Sequence, residues 1–273
     1  MISAILFDLD ETLFDHRGAV AYAATAWTES FSPGHELLTE VPALWLGLEE
    51  RHLPAWYAGE CSFAEQRRRR LRDFCRRLGL PLPADLDAAY AEFLLHYEAA
   101  WTAFPDAAEA MDALSGRGLT LGVLTNGVPV LQEAKLRRIG LMDRLDPVLT
   151  PDALGGTFKP AAECYLAAAA KLGLRPEEIL LVGDNLDLDA IGPTTVGMHG
   201  VWLDRYGTPQ QAGTRHDHGD PRSGTSRRVN RRDDGDPGST TGDLPGLPDL
   251  AKPSRPCMPP RITSLLELPA LLN

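Results

Sequence analysis

The strongest constraint on this chain is the repeated alternation of short apolar runs with longer segments of helical periodicity. Short apolar runs are typical of strands buried on both faces, and strands separated by helical segments return to the same end of a sheet and run parallel. The pattern therefore predicts an α/β fold with a parallel sheet between helices. The five runs are Ile2–Phe7, Leu119–Leu124, Val148–Leu149, Ile179–Val182 and Val201–Leu203.

More than a hundred residues separate the first and second runs, far more than a simple crossover requires. Four apolar stripes with three-and-four spacing lie in this interval, and each predicts an amphipathic helix. Breakers at Pro33-Gly34, Pro54 and residues 79–83 are interpreted as the points between these helices. Helices with one apolar face must pack on one another, so residues 16–102 are predicted to form an inserted four-helix cap domain.

The segment 205–260 has a different composition from the rest of the chain. It contains 8 glycines and 9 prolines in 56 residues and few large aliphatic side chains. Such a segment buries too little apolar surface to offset chain entropy, so we expect a disordered insertion. The core domain is then predicted to comprise residues 1–15, 103–204 and 261–273, the last of these forming a short strand or turn followed by a helix.

Polar side chains follow the apolar runs at the points where the predicted strands end. All strands of a parallel sheet present their carboxyl ends at one edge, where ligands bind in a crevice. Distant parts of the sequence are therefore expected to meet at one site that is rich in carboxylates and holds a lysine. The residues are Asp8, Asp10, Thr125, Asn126, Lys159 and Asp184.

Carboxylates gathered this closely repel one another, so the ionised cluster requires a compensating cation. Magnesium, a hard ion that prefers oxygen ligands, suits Asp8, Asp184 and a main-chain carbonyl. The ion and Lys159 would bind the oxygens of a phosphate group, and the Thr125 hydroxyl would complete the cradle. An aspartate oxygen then remains free to attack phosphorus.

These residues resemble the four motifs of the haloacid dehalogenase-like superfamily, in its phosphatase branch with a helical cap after the first motif. All four motifs occur in the family's order, and the resemblance covers residues 1–204 and the C-terminal segment. The resemblance implies a Rossmann-like core. The motifs are Asp8-Leu9-Asp10-Glu11-Thr12-Leu13, Leu124-Thr125-Asn126-Gly127, Lys159-Pro160 and Gly183-Asp184-Asn185-Leu186-Asp187-Leu188-Asp189.

The resemblance implies roles for the two aspartates of the first motif. Asp8 is the expected nucleophile and a metal ligand. Asp10 is expected to protonate the leaving alcohol and then to activate water, with its main-chain carbonyl on the metal. Dehalogenases of this superfamily expel halide and lack the second aspartate, so Asp10 favours phosphoester hydrolysis over carbon–halogen cleavage.

The remaining motifs supply the expected phosphate and metal contacts. By resemblance, Thr125 and Asn126 bind phosphate, Lys159 stabilises charge, Asp184 is a direct metal ligand, and Asp189 is a supporting carboxylate. The chain departs from the family pattern at Ala161-Ala162, where an acidic residue is common, and in having the Pro/Gly-rich insertion.

Composition excludes several other functional classes. The chain has 273 residues with 27 Lys and Arg against 38 Asp and Glu, and this net charge of −11 argues against a nucleic-acid binder. No apolar run is long enough for a membrane span, and the first residues lack a basic signal region. The 4 cysteines show no CxxC spacing. We therefore expect no membrane association and a cytoplasmic location.

The predicted function is magnesium-dependent hydrolysis of a small-molecule phosphate monoester through phospho-Asp8. A phosphomutase would use the same residues, and a non-catalytic interaction protein on this fold would be expected to have lost some of them. Phosphoglycolate, sugar phosphates and nucleoside monophosphates all remain open as substrates, and the aromatic residues of the cap favour a nucleotide or sugar phosphate. The oligomeric state is not predicted.

Three further charged features have two interpretations each. The run Arg67–Arg70 is either a solvated helix face or a source of anion attraction at the mouth of the cleft, because successive residues spread around a helix. Likewise, His16 either contacts substrate or lies at the surface, and Asp187 is either a solvated or helix-capping carboxylate or a ligand.

Overall fold

The computed structural model describes residues 1–207 and 258–272. Within these ranges the chain forms a six-stranded sheet in which every neighbouring pair is parallel, in the order β3-β2-β1-β4-β5-β6. The predicted α/β class and its five strands are confirmed. The strands are β1 (Ala4–Phe7), β2 (Thr120–Leu124), β3 (Val148–Leu149), β4 (Ile179–Gly183), β5 (His199–Leu203) and β6 (Arg261–Ile262).

Strand β1 occupies the centre of the sheet and aligns the strand ends. Phe7 lies opposite Val123 of β2 and Val182 of β4, and Leu124 lies opposite Leu149 of β3. The next residue of each chain segment therefore emerges at the same edge. This register brings the first, second and fourth motifs together.

The side chains of β1 alternate between two apolar clusters, one on each face of the sheet. Ile5 and Phe7 belong to a large cluster that continues into helices inserted after β1, whereas Ala4 and Leu6 pack on the opposite face. All four are fully buried. Burial on both faces explains why the strands appear in the sequence as continuous apolar runs.

Four helices follow β1 and pack on one another in sequence, with α1 also against α4. Trp45 of α2 lies at their centre, stacked on Phe93 of α4 with ring centroids 4.0 Å apart. We call this group the four-helix bundle. Its members are α1 (His16–Phe31), α2 (Val41–Tyr57), α3 (Phe63–Leu78) and α4 (Leu86–Ala99).

The bundle differs from the sequence prediction at Pro54. Pro54 was interpreted as a break between helices, but it lies inside the last turn of α2, and its carbonyl accepts a hydrogen bond from Ala58 at 2.9 Å. The break itself lies a few residues later, before Ser62, whose hydroxyl caps α3. A proline near the end of a helix removes a single hydrogen bond, so the last turn is retained.

The rest of the core consists of shorter helices between strands and a C-terminal segment. As expected, that segment is a short strand, β6, followed by a helix, and β6 pairs with β5. The remaining helices are α5 (Ala107–Ser115), α6 (Pro129–Arg138), α7 (Ala162–Leu172) and α8 (Leu268–Leu271).

The two ends of the predicted insertion contact the core. The Arg205 guanidinium pairs with Asp106 at 2.9 Å and donates to the Thr12 carbonyl at 2.6 Å, while the Tyr206 hydroxyl donates to Glu11 at 2.7 Å. Pro260 accepts a hydrogen bond from Trp202 at 2.9 Å. The predicted disorder of the rest of the insertion falls on residues 208–257, which lie outside the described residues.

Where the chain is described, none of its helices has the length and apolar character that crossing a bilayer requires.

Gly200 tests the packing that supports the fourth motif. A Cβ at Gly200 would overlap the main-chain carbonyl of Ala190, which has no flexible side chain to move away. Gly200→Ala should therefore lower the free energy of unfolding by about 3 kcal/mol or more. Gly47→Ala, at an exposed position inside α2 with open space around it, should raise it by about 0.5–1 kcal/mol. Chemical denaturation measures both, and equal effects would contradict the close approach at Gly200.

Candidate active site

A buried lysine joins two of the predicted carboxylates at the carboxyl edge of the sheet. The Lys159 ammonium donates to Asp8 at 2.7 Å and to Asp189 at 2.6 Å, and its side chain is 2 % exposed. Burial by itself would lower the pKa of Lys159, but Asp189 and Asp8 outweigh it and raise the pKa above its ordinary value. Lys159 is therefore charged at neutral pH and compensates this pair of carboxylates.

Asp184 brings a third carboxylate to the same place. One ligand atom from each of Asp8, Asp184 and Asp189 can be chosen so that all three lie within 4.8 Å of one another. Burial, followed by the charges of Asp8 and Asp189, raises the pKa of Asp184 to about 8. Burial likewise raises the pKa of Asp8 to about 7, although Lys159 opposes the shift. If all three carboxylates were ionised, they would carry more negative charge than one lysine compensates.

Asp10 has its own cation, which the sequence analysis did not identify. Its carboxylate accepts hydrogen bonds from the Lys135 ammonium and, at 3.1 Å, from the Gln132 amide. Burial would raise the pKa of Asp10, but Lys135 and His16 hold it below its ordinary value. Lys135 and Gln132 lie three residues apart on α6, so they share one helix face, and both are buried. This three-residue spacing of two polar side chains is the sequence signal that could have identified Lys135 as the partner of Asp10.

A tight turn after β1 sets the positions of Asp8 and Asp10. Glu11 has a φ of 62°, the left-handed region that a residue with a side chain rarely adopts. Its carboxylate accepts the main-chain N–H of Arg17 at 2.6 Å, which ties the turn to the start of α1. The Thr12 hydroxyl accepts the N–H of Asp184 at 3.1 Å and so links the first and fourth motifs.

Thr125 and Asn126 follow β2 and are both buried. The Thr125 hydroxyl accepts a hydrogen bond from Gln132 at 2.7 Å. The Asn126 side chain holds the main chain of Lys159 on both sides, donating to its carbonyl at 2.9 Å and accepting from its N–H at 2.8 Å. One of the two side chains predicted to bind phosphate is thus used to position Lys159.

Asp189 is held rigidly behind this cluster. It is 1 % exposed, and its second oxygen accepts the N–H of Asn185 at 3.1 Å. A Cβ at Gly183 would overlap the Asp189 carboxyl group, so only glycine fits at this end of β4. By contrast, Asp187 is exposed, as expected for a solvated carboxylate, and the Asn185 side chain caps the following turn.

These residues line one cavity of about 290 Å³ between the strand ends and the four-helix bundle. The cavity brings together every site residue predicted from the sequence. Its far wall is made by the bundle and includes Trp45, His16 and two of the four successive arginines, Arg67 and Arg70. The predicted residues on its walls are Asp8, Asp10, Thr125, Asn126, Lys159, Asp184 and Asp189.

A buried polar cluster in the bundle shapes that far wall. Glu49 forms an ion pair with Arg70 at 3.0 Å and contacts Nε2 of His16 at 3.2 Å. The Nδ1 atom of His16 lies 2.7 Å from the Tyr97 hydroxyl. Burial would raise the pKa of Glu49, but Arg70 and His16 hold it well below its ordinary value. His16 is therefore part of the cavity wall rather than a surface residue.

Glu49→Gln tests this cluster through its pH dependence. Removing one partner of a buried pair should lower the free energy of unfolding by about 3 kcal/mol at pH 7. Because the folded-state pKa lies below the ordinary value of 4.5, the carboxylate stabilises the fold above that pH and loses its contribution as the pH falls below it. The difference between wild type and variant should thus shrink between pH 4.5 and pH 3 in urea unfolding.

The matched control is Glu65→Gln in α3, whose carboxylate pairs with Arg69 and Arg72 at the surface. Its effect should be much smaller than that of Glu49→Gln at pH 7, because solvent screens an exposed ion pair. A Glu49→Gln difference that does not change with pH would show that the carboxylate charge is not what stabilises the bundle.

Comparison with known proteins agrees with this geometry. A ribulose-1,5-bisphosphate 5-phosphatase from Halopiger xanaduensis is 31% identical over 205 residues, which is 75% of this chain and 85% of that protein. An (S)-2-haloacid dehalogenase from Pseudomonas sp. strain YL is 33% identical over 208 residues, 76% of this chain and 84% of that protein.

The fold comparison points the same way. The structure of the HAD-hydrolase YfnB from Bacillus subtilis superimposes with a TM-score of 0.68 at 20% identity, covering 100% of this chain and 99% of that one. The family described as haloacid dehalogenase-like hydrolase matches residues 2–197. With its motifs assembled at one sheet edge and this match over most of its length, the chain belongs to the haloacid dehalogenase-like hydrolase family.

Proposed function

We propose that this hydrolase is a magnesium-dependent phosphatase that cleaves a small-molecule phosphate monoester through an aspartyl-phosphate on Asp8. The observation that carries the proposal is the pairing of two differently held aspartates on one turn: Asp8 on Lys159 and Asp10 on Lys135. Attack on phosphorus and protonation of an alkoxide need two such carboxyl groups. The phosphatase activity named for the Halopiger relative supports the same reaction class.

The residues at the strand ends fit a divalent cation. Asp8, Asp184 and Asp189 offer hard oxygen ligands within 4.8 Å of one another. With Asp10 they make four carboxylates against two ammonium groups, Lys159 and Lys135, so full ionisation leaves two negative charges uncompensated. Asp8, Asp184 and the Asp10 carbonyl would hold Mg²⁺, which when bound would neutralise charge on the phosphate oxygens.

Asp189 contributes differently from the other two carboxylates. Its oxygens already bind Lys159 and the Asn185 N–H, so it holds the lysine rather than the ion. Lys159 is then directed at the place where the phosphate oxygens of a substrate would lie. The Thr125 hydroxyl and the main-chain N–H of Asn126 would complete the cradle.

In the first half of the reaction, an Asp8 oxygen attacks phosphorus and the bond from phosphorus to the ester oxygen breaks. Asp10 donates its proton to that oxygen, so the alcohol leaves neutral. Asp10 is ionised in the free protein because of Lys135. A phosphate dianion bound beside it repels the Asp10 charge and raises its pKa, which allows the carboxyl group to take up the proton that it then donates.

In the second half, Asp10 is a carboxylate again and accepts a proton from water as the water attacks the phosphorus of phospho-Asp8. The bond from phosphorus to the Asp8 oxygen breaks, inorganic phosphate is released, and the Asp8 carboxylate is restored. Asp10 then releases to solvent the proton that it accepted from water, which replaces the proton taken up before the first half, and each group returns to its starting protonation state. A phosphomutase would differ only in returning the phosphoryl group to an organic hydroxyl.

The four-helix bundle is proposed to act as the cap of this active site. It supplies the far wall of the cavity, and Trp56 and Tyr57 at the end of α2 contact Phe158, next to Lys159, with ring centroids 5.4 and 5.3 Å apart. Closure over the cavity would exclude water during the first half of the reaction. The leaving group of the substrate would then contact the bundle.

Asp8→Asn tests the nucleophile. The amide keeps the shape of the side chain but has no charged oxygen to attack phosphorus, so hydrolysis of p-nitrophenyl phosphate in the presence of Mg²⁺ should fall by at least about 1,000-fold. Phosphate release and circular dichroism are measured together, and the fold should be unchanged. Residual activity of a few per cent would contradict the role of Asp8.

Assays with other substrates separate the phosphatase from a dehalogenase and from a phosphomutase. Wild-type protein is incubated with (S)-2-chloropropionate, and chloride release is measured, because one relative is a haloacid dehalogenase. We expect phosphate release without chloride release. Chloride release alone would favour the dehalogenase. With glucose 1-phosphate in place of p-nitrophenyl phosphate, ³¹P NMR showing isomerised ester without free phosphate would favour a mutase.

Asp184→Asn tests the cation site without relying on activity. In chelator at pH 9 the variant should melt at a higher temperature than wild type, because the folded-state pKa of about 8 lies above the ordinary 3.8 and ionisation of Asp184 opposes folding. With Mg²⁺ at about 100 times its dissociation constant, wild type should gain about 5 °C and the variant nothing. The exposed Asp187→Asn control should behave as wild type, and an equal Mg²⁺ response in all three would contradict the site.

A further inference from the structure

Four successive arginines on α3 have different surroundings. Arg68 forms a bidentate pair with Asp87 at 2.8 and 2.6 Å, and Arg69 pairs with Glu65 at 3.3 Å, so both are used on the outer face. Arg70 is 3 % exposed and pairs with Glu49. The run is therefore neither a uniformly solvated face nor a uniform source of attraction, because each arginine points in its own direction around the helix.

Arg67 is the exception within this run. It lines the cavity that contains Asp8, and it forms no ion pair with any carboxylate in the described part of the chain. Its guanidinium lies over the rings of Phe63 and Tyr90, 4.2 and 4.9 Å from their centroids. Its Nε is buried and has no hydrogen-bond partner among the described atoms. Burial is the main cause of the lowered pKa of this group.

Gln66, the preceding residue, provides a second and independent observation. It is fully buried, it lines the same cavity, and neither its amide nitrogen nor its amide oxygen has a hydrogen-bond partner among the described atoms. A buried amide without partners costs about 1–3 kcal/mol. A ligand that enters the cavity can satisfy both of its polar atoms.

We propose that Arg67 and Gln66 form an anion subsite in the bundle, which selects phosphate monoesters whose leaving group carries a second acidic group. This inference rests on the proposed phosphatase function, since the phosphate end of the same ligand would lie at Asp8 and Lys159. The acidic group would be a carboxylate or a second phosphate, both of which match the planar fork of a guanidinium.

The charges of the bundle wall explain why the second group is acidic rather than neutral. Glu49 is already compensated by Arg70 and His16, so the half-buried guanidinium of Arg67 has no carboxylate of its own in the described part of the chain. The rings beneath it hold the guanidinium without neutralising it. Among the substrate classes left open by the sequence, phosphoglycolate and acidic sugar phosphates carry such a group, whereas a nucleoside base does not.

The test measures discrimination rather than absolute activity. kcat/KM is determined for phosphoglycolate and 3-phosphoglycerate, for their neutral counterparts 2-hydroxyethyl phosphate and glycerol 1-phosphate, and for 1,3-propanediol bisphosphate against 3-hydroxypropyl phosphate. Wild type should prefer the acidic member of a pair. The carboxylate and bisphosphate pairs show which of the two groups the subsite takes.

Arg67→Gln should lower the acidic-to-neutral ratio of kcat/KM by about 10- to 100-fold, the effect of one charge-assisted hydrogen-bond pair. Arg67→Lys keeps the charge and the stem but loses the fork, so its ratio should be intermediate. The control is Arg68→Gln, next along the helix and outside the cavity, which should leave the ratio unchanged. An unchanged ratio in Arg67→Gln, or no acidic preference in wild type, overturns the inference.

Gln66→Met separates ligand binding from a structural role. Removing an unpartnered buried amide at nearly constant volume should raise the melting temperature, while the acidic-to-neutral ratio falls. A buried amide that stabilises the fold would show the opposite change in melting temperature. A variant that is less stable and has an unaltered ratio would overturn the role of Gln66.

Calorimetry distinguishes failure of this inference from failure of the proposed function. Phosphoglycolate and 2-hydroxyethyl phosphate are titrated into Asp8→Asn protein, with and without Arg67→Gln, so that binding is measured without turnover. Preferential binding of phosphoglycolate that depends on Arg67 supports the subsite even if wild type hydrolyses neither ester. Hydrolysis without any acidic preference leaves the phosphatase standing and refutes the subsite, and absence of both hydrolysis and binding refutes both.

Discussion

The contacts of Lys159 with Asp8 and Asp189 make this site possible. Carboxylates that follow neighbouring parallel strands repel one another when they are buried at one edge of the sheet. The register of the strands fixes their positions, so the carboxylates cannot move apart. One ammonium between them, itself fixed through its main chain by Asn126, removes part of that repulsion. Burial and the repulsion that remains raise the pKa of Asp184, and full ionisation of this group is the physical reason for expecting a divalent cation.

Burial, which dominates at Asp8, and Lys135, which with His16 outweighs burial at Asp10, give the two aspartates of the first turn different properties. The pKa of Asp8 is raised and that of Asp10 is lowered in the free protein, the reverse of what a nucleophile and an acid require. Binding of the cation and the substrate would reverse both pKa shifts. A cation favours the ionised form of Asp8, and a phosphate dianion favours the protonated form of Asp10. On the proposed mechanism, the site is ready for reaction only when both are bound.

The four-helix bundle combines stability and proposed recognition in one wall. Trp45, Phe93 and Phe74 form its apolar centre, and Glu49 with Arg70 makes a compensated polar cluster beside them. Among the described residues, neither the Gln66 amide nor the Arg67 Nε has a hydrogen-bond partner. Polar groups buried without partners destabilise a fold, so their position facing the cavity is most simply explained by a ligand.

The sequence alone determined the α/β class, the five principal strands and the edge at which the chemistry lies, because apolar runs and the parallel rule are local and topological properties. It also identified Asp8, Asp10, Lys159 and Asp184 at that edge. Tertiary structure decided the rest. Lys135 pairs with Asp10 across 125 positions, and the Asn126 side chain holds the main chain of Lys159. Only packing shows which of four adjacent arginines lacks a carboxylate partner in the described part of the chain. These contacts join side chains on different helices and strands, so they exist only after folding has packed those elements together.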